Sequence, residues 1–62
     1  MSLNNVVIEI DEVEYLITPE SANEITSGVG EIYLHRLVDN NVILFPLEEI
    51  KKSISKGIID QL

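Results

Sequence analysis

Val6-Val7-Ile8-Glu9-Ile10-Asp11-Glu12-Val13-Glu14-Tyr15-Leu16-Ile17 is the stretch whose pattern decides the fold. Val6, Ile8 and Ile10 alternate with other residues, and after Asp11 and Glu12 the alternation resumes with Val13, Tyr15 and Ile17, a period of two that marks strands. Folding the stretch back at Asp11 and Glu12 sets Ile10 against Val13, Ile8 against Tyr15 and Val6 against Ile17. All six then share one face, whereas a slip of one residue would send half of them to the other side. Two features resist this hairpin. The register sets Glu9 opposite Glu14, and like charges facing each other cost a few tenths of a kcal/mol. A two-residue turn also wants residues that accept positive φ, which Asp-Glu does poorly, so a longer loop or a bulge stands as the alternative.

The next residues turn helical. Thr18 is a hydroxyl cap, Pro19 suits a first helical position where its missing N–H costs nothing, and Glu20 sits well in the first turn. A short helix is predicted from Pro19 to Ser27, with Ala22, Ile25 and Val29 on its buried side and Gly28 as the stop. Asn23, Thr26 and Ser27 are weak helix formers, so packing must hold it.

From Glu31 to Val38 an extended segment shows two apolar sets, Ile32, Leu34 and Val38 against Tyr33, His35 and Leu37. Asp39, Asn40 and Asn41 are turn residues, and Val42 to Phe45 follows as an unbroken apolar run. This predicts a second hairpin. A run without polar alternation is expected in a strand covered on both faces, which places Val42–Phe45 centrally in a sheet or in a dimer contact.

After Pro46, the residues Leu47, Ile50, Ile54 and Ile58 recur at spacings of three and four, the stripe of an amphipathic helix. Glu48 and Glu49 fall early, Lys51, Lys52 and Lys56 fall late, and Gly57 stands as the stop, all in agreement with the helix dipole. Glu48 and Lys52 form an i, i+4 pair. The tail from Ile58 to Leu62 is too apolar for a solvated end, so it either packs on the core or meets another chain. The expected architecture is a small α+β domain over residues 1–62, an antiparallel sheet of two hairpins with two helices on one face, in the order ββαββα.

At 62 residues and with no cysteine, the chain has neither a disulfide framework nor a thiolate zinc site, and one histidine cannot build a histidine-rich metal cluster. Stability must come from packing or association, which favours a homodimer or small homo-oligomer. The apolar fraction of 45% and the mean hydropathy of +0.19 place it among folding chains rather than acidic disordered ones. Ten Ile, seven Leu and six Val supply most of that fraction, a mix rich in strand formers. No run approaches a membrane span and no signal-peptide pattern opens the chain, so the cytoplasm is the expected setting.

The net charge of -7 is unevenly placed. Glu9, Asp11, Glu12, Glu14, Glu20, Glu24 and Glu31 precede His35 with no base among them, while from His35 onward four acids meet four bases. Such a balance argues against direct nucleic-acid or membrane binding and for a protein partner with a basic surface.

Catalytic signatures are weak. His35 beside Arg36 lacks a recognisable partner for acid–base work and reads as a strand histidine. The carboxylate pairs Glu9 with Glu14, Asp11 with Glu12, and Glu48 with Glu49 lack the alternating ligands of a calcium loop. Ser27-Gly28-Val29-Gly30 runs from helix into strand, opposite to a phosphate loop, and reads as a stop and turn. Tyr15 belongs to the sheet face and Tyr33 to its rim. The expectation is therefore a non-enzyme without metal or cofactor: a small acidic binding or regulatory protein, an inhibitor of a basic-surfaced nucleic-acid-handling or defence protein. The alternative is a self-assembling structural subunit. Glu9, Asp11, Glu12, Glu14 and Glu20 are the candidate acidic contact residues, and Phe45, Ile58, Ile59 and Leu62 the candidates for self-association.

Overall fold

The computed structural model describes residues 2–62. Its elements are β1 (Val6–Ile10), β2 (Val13–Ile17), α1 (Pro19–Ser27), β3 (Glu31–Arg36), β4 (Val42–Pro46), α2 (Leu47–Lys56) and β5 (Asp60–Gln61). All neighbouring strands are antiparallel, in the order β4-β3-β2-β1-β5. The ββαββα order is present, and a two-residue strand follows it.

The first hairpin has the register that its alternation demands, with Val6 against Ile17, Ile8 against Tyr15 and Ile10 against Val13. It needs neither a longer loop nor a bulge. Asp11 and Glu12 make the turn alone by taking positive φ values of 52° and 67°, the backbone of a turn that follows strand twist but favours Asn and Gly.

Helix α1 begins and ends where its caps place it. Thr18 Oγ1 accepts the Ser21 backbone N–H at 3.2 Å, and Gly28 takes φ 80° while its N–H closes on Ile25 C=O. Ala22 and Ile25 are buried, but Val29 is 40% exposed because the left-handed Gly28 carries the chain off the helix before it. Ser21, unremarkable in sequence, is buried and ties α1 to the sheet through a 2.6 Å hydrogen bond from its hydroxyl to Tyr33 C=O. That carbonyl points toward β2, which has already ended at Ile17, so the serine takes the place of a ladder partner.

Strand β3 ends at Arg36, two residues earlier than alternation predicts, and Leu37 and Val38 belong to the loop. Val38 is 82% exposed rather than part of the Ile32 and Leu34 face. The reason is a polar staple. Arg36 donates through Nε and Nη2 to the two Asp39 carboxylate oxygens at 2.9 and 2.7 Å, and Asn41 donates to the same carboxylate through its backbone N–H and its side-chain amide. Asn40 takes φ 59°, and the loop closes with Arg36 N–H on Asn41 C=O at 2.7 Å. Arg36–Asp39 is the one ion pair among the described residues, and the i, i+4 pair Glu48–Lys52 does not close to contact. Arg36 and the Asn41 N–H hold the Asp39 carboxyl well below its ordinary value of 3.8, at about 2.

The second hairpin forms, but Val42–Phe45 is not central. Strand β4 is the outer strand of the sheet, paired only with β3. Its continuous apolar run reflects two faces put to different uses. Ile43 and Phe45 turn inward and pack on the core, while Val42 and Leu44 look out from the open face, 49% and 42% exposed. Pro46 closes the strand and stands as N-cap of α2, with no side-chain cap bond.

Both helices lie on the face formed by Val6, Ile8, Ile10, Tyr15, Ile17, Ile32 and Leu34, and contribute Ala22, Ile25 and Ile50 to one core. Ile8, Ile17, Ile32, Leu34, Ile50 and Val6 are fully buried, each stabilising by about 1.5–3 kcal/mol relative to exposure. Tyr15 and Phe45 meet edge to face at 4.8 Å. Helix α2 packs against β4 at one side of the sheet and β1 at the other, so it carries the chain across to the opposite edge. There the tail lies along β1, with Ile59 N–H on Val7 C=O and Leu62 N–H on Asn5 C=O, both 2.8 Å. Its apolar character is thus partly used at home: Ile58 packs on the core, while Ile59 and Leu62 are exposed. Among the described residues no helix is long and apolar enough to cross a membrane.

Candidate functional site

The β1–β2 turn gathers what the sequence spreads over six residues. Glu9 and Glu14 face each other directly on the sheet side away from the helices, and Asp11 and Glu12 cap them. All four are exposed. Because the turn is only two residues long and its strands are paired up to Ile10 and Val13, these carboxylates are held on a rigid scaffold rather than on a mobile loop.

Glu20 does not join them. It lies in the first turn of α1, beyond the far end of β2, and a five-residue strand spans about 16 Å. The five candidate acids therefore divide into a group of four and an outlier. The self-association candidates divide as well. Phe45 lies in β4 at one edge, facing the core, and Ile58, Ile59 and Leu62 accompany β5 at the opposite edge. They do not form one patch.

Beside the turn, α2 adds residues that its sequence gave no reason to place there. An open groove of about 370 Å³ runs between the end of β1 and the flank of α2, with Glu9, Asp11, Glu48, Glu49, Lys52 and Lys56 along its walls. An adjoining depression of about 360 Å³ adds Glu12 and Ile59. Lys52 and Lys56 read in the sequence only as complements to the helix dipole. Their approach to the acidic turn depends on the diagonal path of α2, which no local pattern encodes. The groove is charged and open, unlike the apolar, enclosed pockets that take small molecules.

His35 sits mid-strand on the open face, half-buried, with Leu16 and Val42 as its cross-strand neighbours. Acid–base work would need a polar group placed to orient it, and both of these neighbours are aliphatic. Among the described residues no three His, Asp or Glu side chains come together as a metal-holding group. Comparison with protein-family models, curated proteins and solved structures finds no match. The dominant feature of the site is fixed, exposed negative charge.

Proposed function

We propose that this is a small, non-catalytic binding or regulatory protein that acts through protein contacts, presenting the β1–β2 turn to a partner with a basic surface and inhibiting it by occupying that surface. A partner that handles nucleic acid fits best, because carboxylates on a rigid turn can stand where phosphates would lie. The cytoplasm is the setting this reading assumes.

The observation that carries the reading is a local conflict. Asp11 and Glu12 both hold positive φ, and Glu9 and Glu14 are set directly opposite each other. Left-handed backbone costs a non-glycine residue about 1–2 kcal/mol, less for Asp, and the facing carboxylates add a few tenths. An Asn-Gly turn with neutral neighbours would serve the fold better. Where a sequence departs from what its own fold prefers, a functional demand on those residues is the usual cause. Charge spread for solubility would not need to sit in the turn at this cost.

The test is capture of host proteins on the immobilised chain at low salt, wild type beside the double variant Glu12→Lys, Glu14→Lys. The reading predicts loss of the captured partner in the variant, and weakening of wild-type capture as salt rises. Unchanged capture by a folded variant would sink it.

A further inference from the structure

The free edge of the sheet at β4 carries a second surface, and it differs from the acidic turn in every respect that governs association. Of the two outer strands, β5 is two residues long and begins with Asp60, so it offers little template. Strand β4 is five residues long, contains no charged side chain and has no bulge in its pairing with β3. Such an edge lacks the devices by which sheets discourage strand addition, apart from its proline.

The direction of its backbone groups follows from the pairing. Arg36 N–H reaches Asn41 C=O, and Leu47 N–H reaches Gly30 C=O, so the odd-numbered residues from 41 to 47 turn their polar groups toward β3. By alternation, Val42, Leu44 and Pro46 turn theirs outward. This explains how Pro46 sits in the strand without breaking the ladder, since its missing N–H falls on the free side. It also leaves the N–H and C=O of Val42 and of Leu44 free along the edge, while the Pro46 C=O, as N-cap of α2, is taken by the first hydrogen bond of the helix.

That edge is self-complementary. We propose that β4 pairs antiparallel with β4 of a second copy about a two-fold axis at Leu44, joining two five-stranded sheets into one continuous sheet. Leu44 of each copy exchanges both backbone hydrogen bonds with its equivalent. Ile43 of each lies beside Phe45 of the other on the helix side. On the open side Leu44 meets Leu44, next to Val42 and Tyr33, the last 56% exposed. An isologous contact of this kind closes after two copies.

Charge leaves this edge open to a second copy. Each chain carries a net charge of -7, so copies can approach only where that charge is absent, and Val42–Pro46 is such a segment. The antiparallel order also sets the Pro46 end, near which Glu31 and Glu48 follow, beside the charge-compensated Arg36–Asp39 loop of the other copy. Like ends do not meet. The inference does not rest on the acidic turn, which lies on the far side of β3.

The test uses sedimentation of the whole chain over a range of concentrations, together with two substitutions at an exposed position. Wild type is expected to approach twice the 7.0 kDa chain mass. Leu44→Lys, which sets two ammonium groups against each other across the axis, is expected to raise the dissociation constant at least tenfold while thermal unfolding monitored by circular dichroism shows the fold retained. The chain has no cysteine, so Leu44→Cys gives one thiol per copy. Hydrogen-bonded antiparallel pairs hold Cα atoms about 5.5 Å apart, within disulfide range, and mild oxidation should cross-link this variant but not Ile59→Cys. A wild type that stays monomeric at millimolar concentration overturns the proposal. So does a dimer whose dissociation constant Leu44→Lys leaves unchanged, or one that Ile59→Cys cross-links as readily. Glu12→Lys, Glu14→Lys is expected to leave the dimer intact, which separates failure here from failure of the acidic turn.

Discussion

The two hairpins of the sheet have five- and six-residue strands and similar core-facing positions, yet they solve the problem of turning in opposite ways. The β1–β2 hairpin turns in two residues, Asp11 and Glu12, against their backbone preference and with facing carboxylates behind them. The β3–β4 hairpin turns in a longer loop that neutralises its own charge, one Asp39 carboxylate accepting from Arg36 and Asn41. One end of the molecule thus accepts strain and keeps its charge unpaired, and the other spends its polar groups on closure. An unstrained Asn-Gly turn would serve the fold equally at the first end. The arrangement found there makes sense when the carboxylates are wanted on the surface for something else.

Matched truncations give the largest expected effect and the sharpest control. Ile8→Ala in the first hairpin and Leu34→Ala in the second both remove a fully buried side chain. Each should cost about 2–5 kcal/mol in urea unfolding, because the hairpins differ at their ends and not in their share of the core. A hairpin whose truncation cost under 1 kcal/mol would not belong to the common core, and the comparison would fail.

Next comes the turn itself. Asp11→Asn with Glu12→Gly supplies residues that accept positive φ, and should stabilise the chain by about 1–2 kcal/mol. The same pair should weaken capture of a basic partner, since it removes two of the four clustered charges. Stabilisation without loss of capture would leave the strain unexplained by function.

The smallest effect belongs to the staple of the second hairpin. Asp39 titrates at about 2 in the folded chain, against an ordinary value of 3.8. A carboxyl with a depressed folded value adds stability above its unfolded value and loses it as pH falls through the folded one. Asp39→Asn should therefore lower the urea midpoint slightly at pH 6, and the difference from wild type should fade between pH 4 and pH 2. A difference already absent at pH 6 would mean that Asn41 and the loop backbone, rather than the carboxylate charge, hold the turn.

What was legible in the sequence divides along the same lines. The first hairpin's register followed from six apolar residues, because period-two alternation leaves one solution. Thr18, Pro19, Gly28 and Gly57 marked the helix ends because capping is local chemistry. The central place in the sheet read for Val42–Phe45 fails, because an apolar run looks the same whether both faces are covered or one is left open, and only strand order distinguishes them; the dimer contact, the other reading of the same run, does not depend on that order. Ser21 was missed because its partner is a carbonyl twelve residues away, freed by the end of a third segment. Lys52 and Lys56 beside the acidic turn, and the separation of Glu20 from it, depend on the diagonal path of α2 and the direction of β2. Of the candidate site, the acids were readable as a composition, but their division into four and one was not.

The central claim is that position, and not total charge, makes the acidic turn the contact surface. Two triple variants carry the same net charge: Asp11→Asn, Glu12→Gln, Glu14→Gln at the turn, and Glu20→Gln, Glu24→Gln, Glu31→Gln away from it. Capture of the same host partner by both, side by side at one low salt concentration, tests the claim most directly. The account predicts that the turn variant loses the partner while the other retains it near the wild-type level. Equal loss in the two would show that the charge acts only in bulk, and would contradict the assignment of the turn as the binding surface.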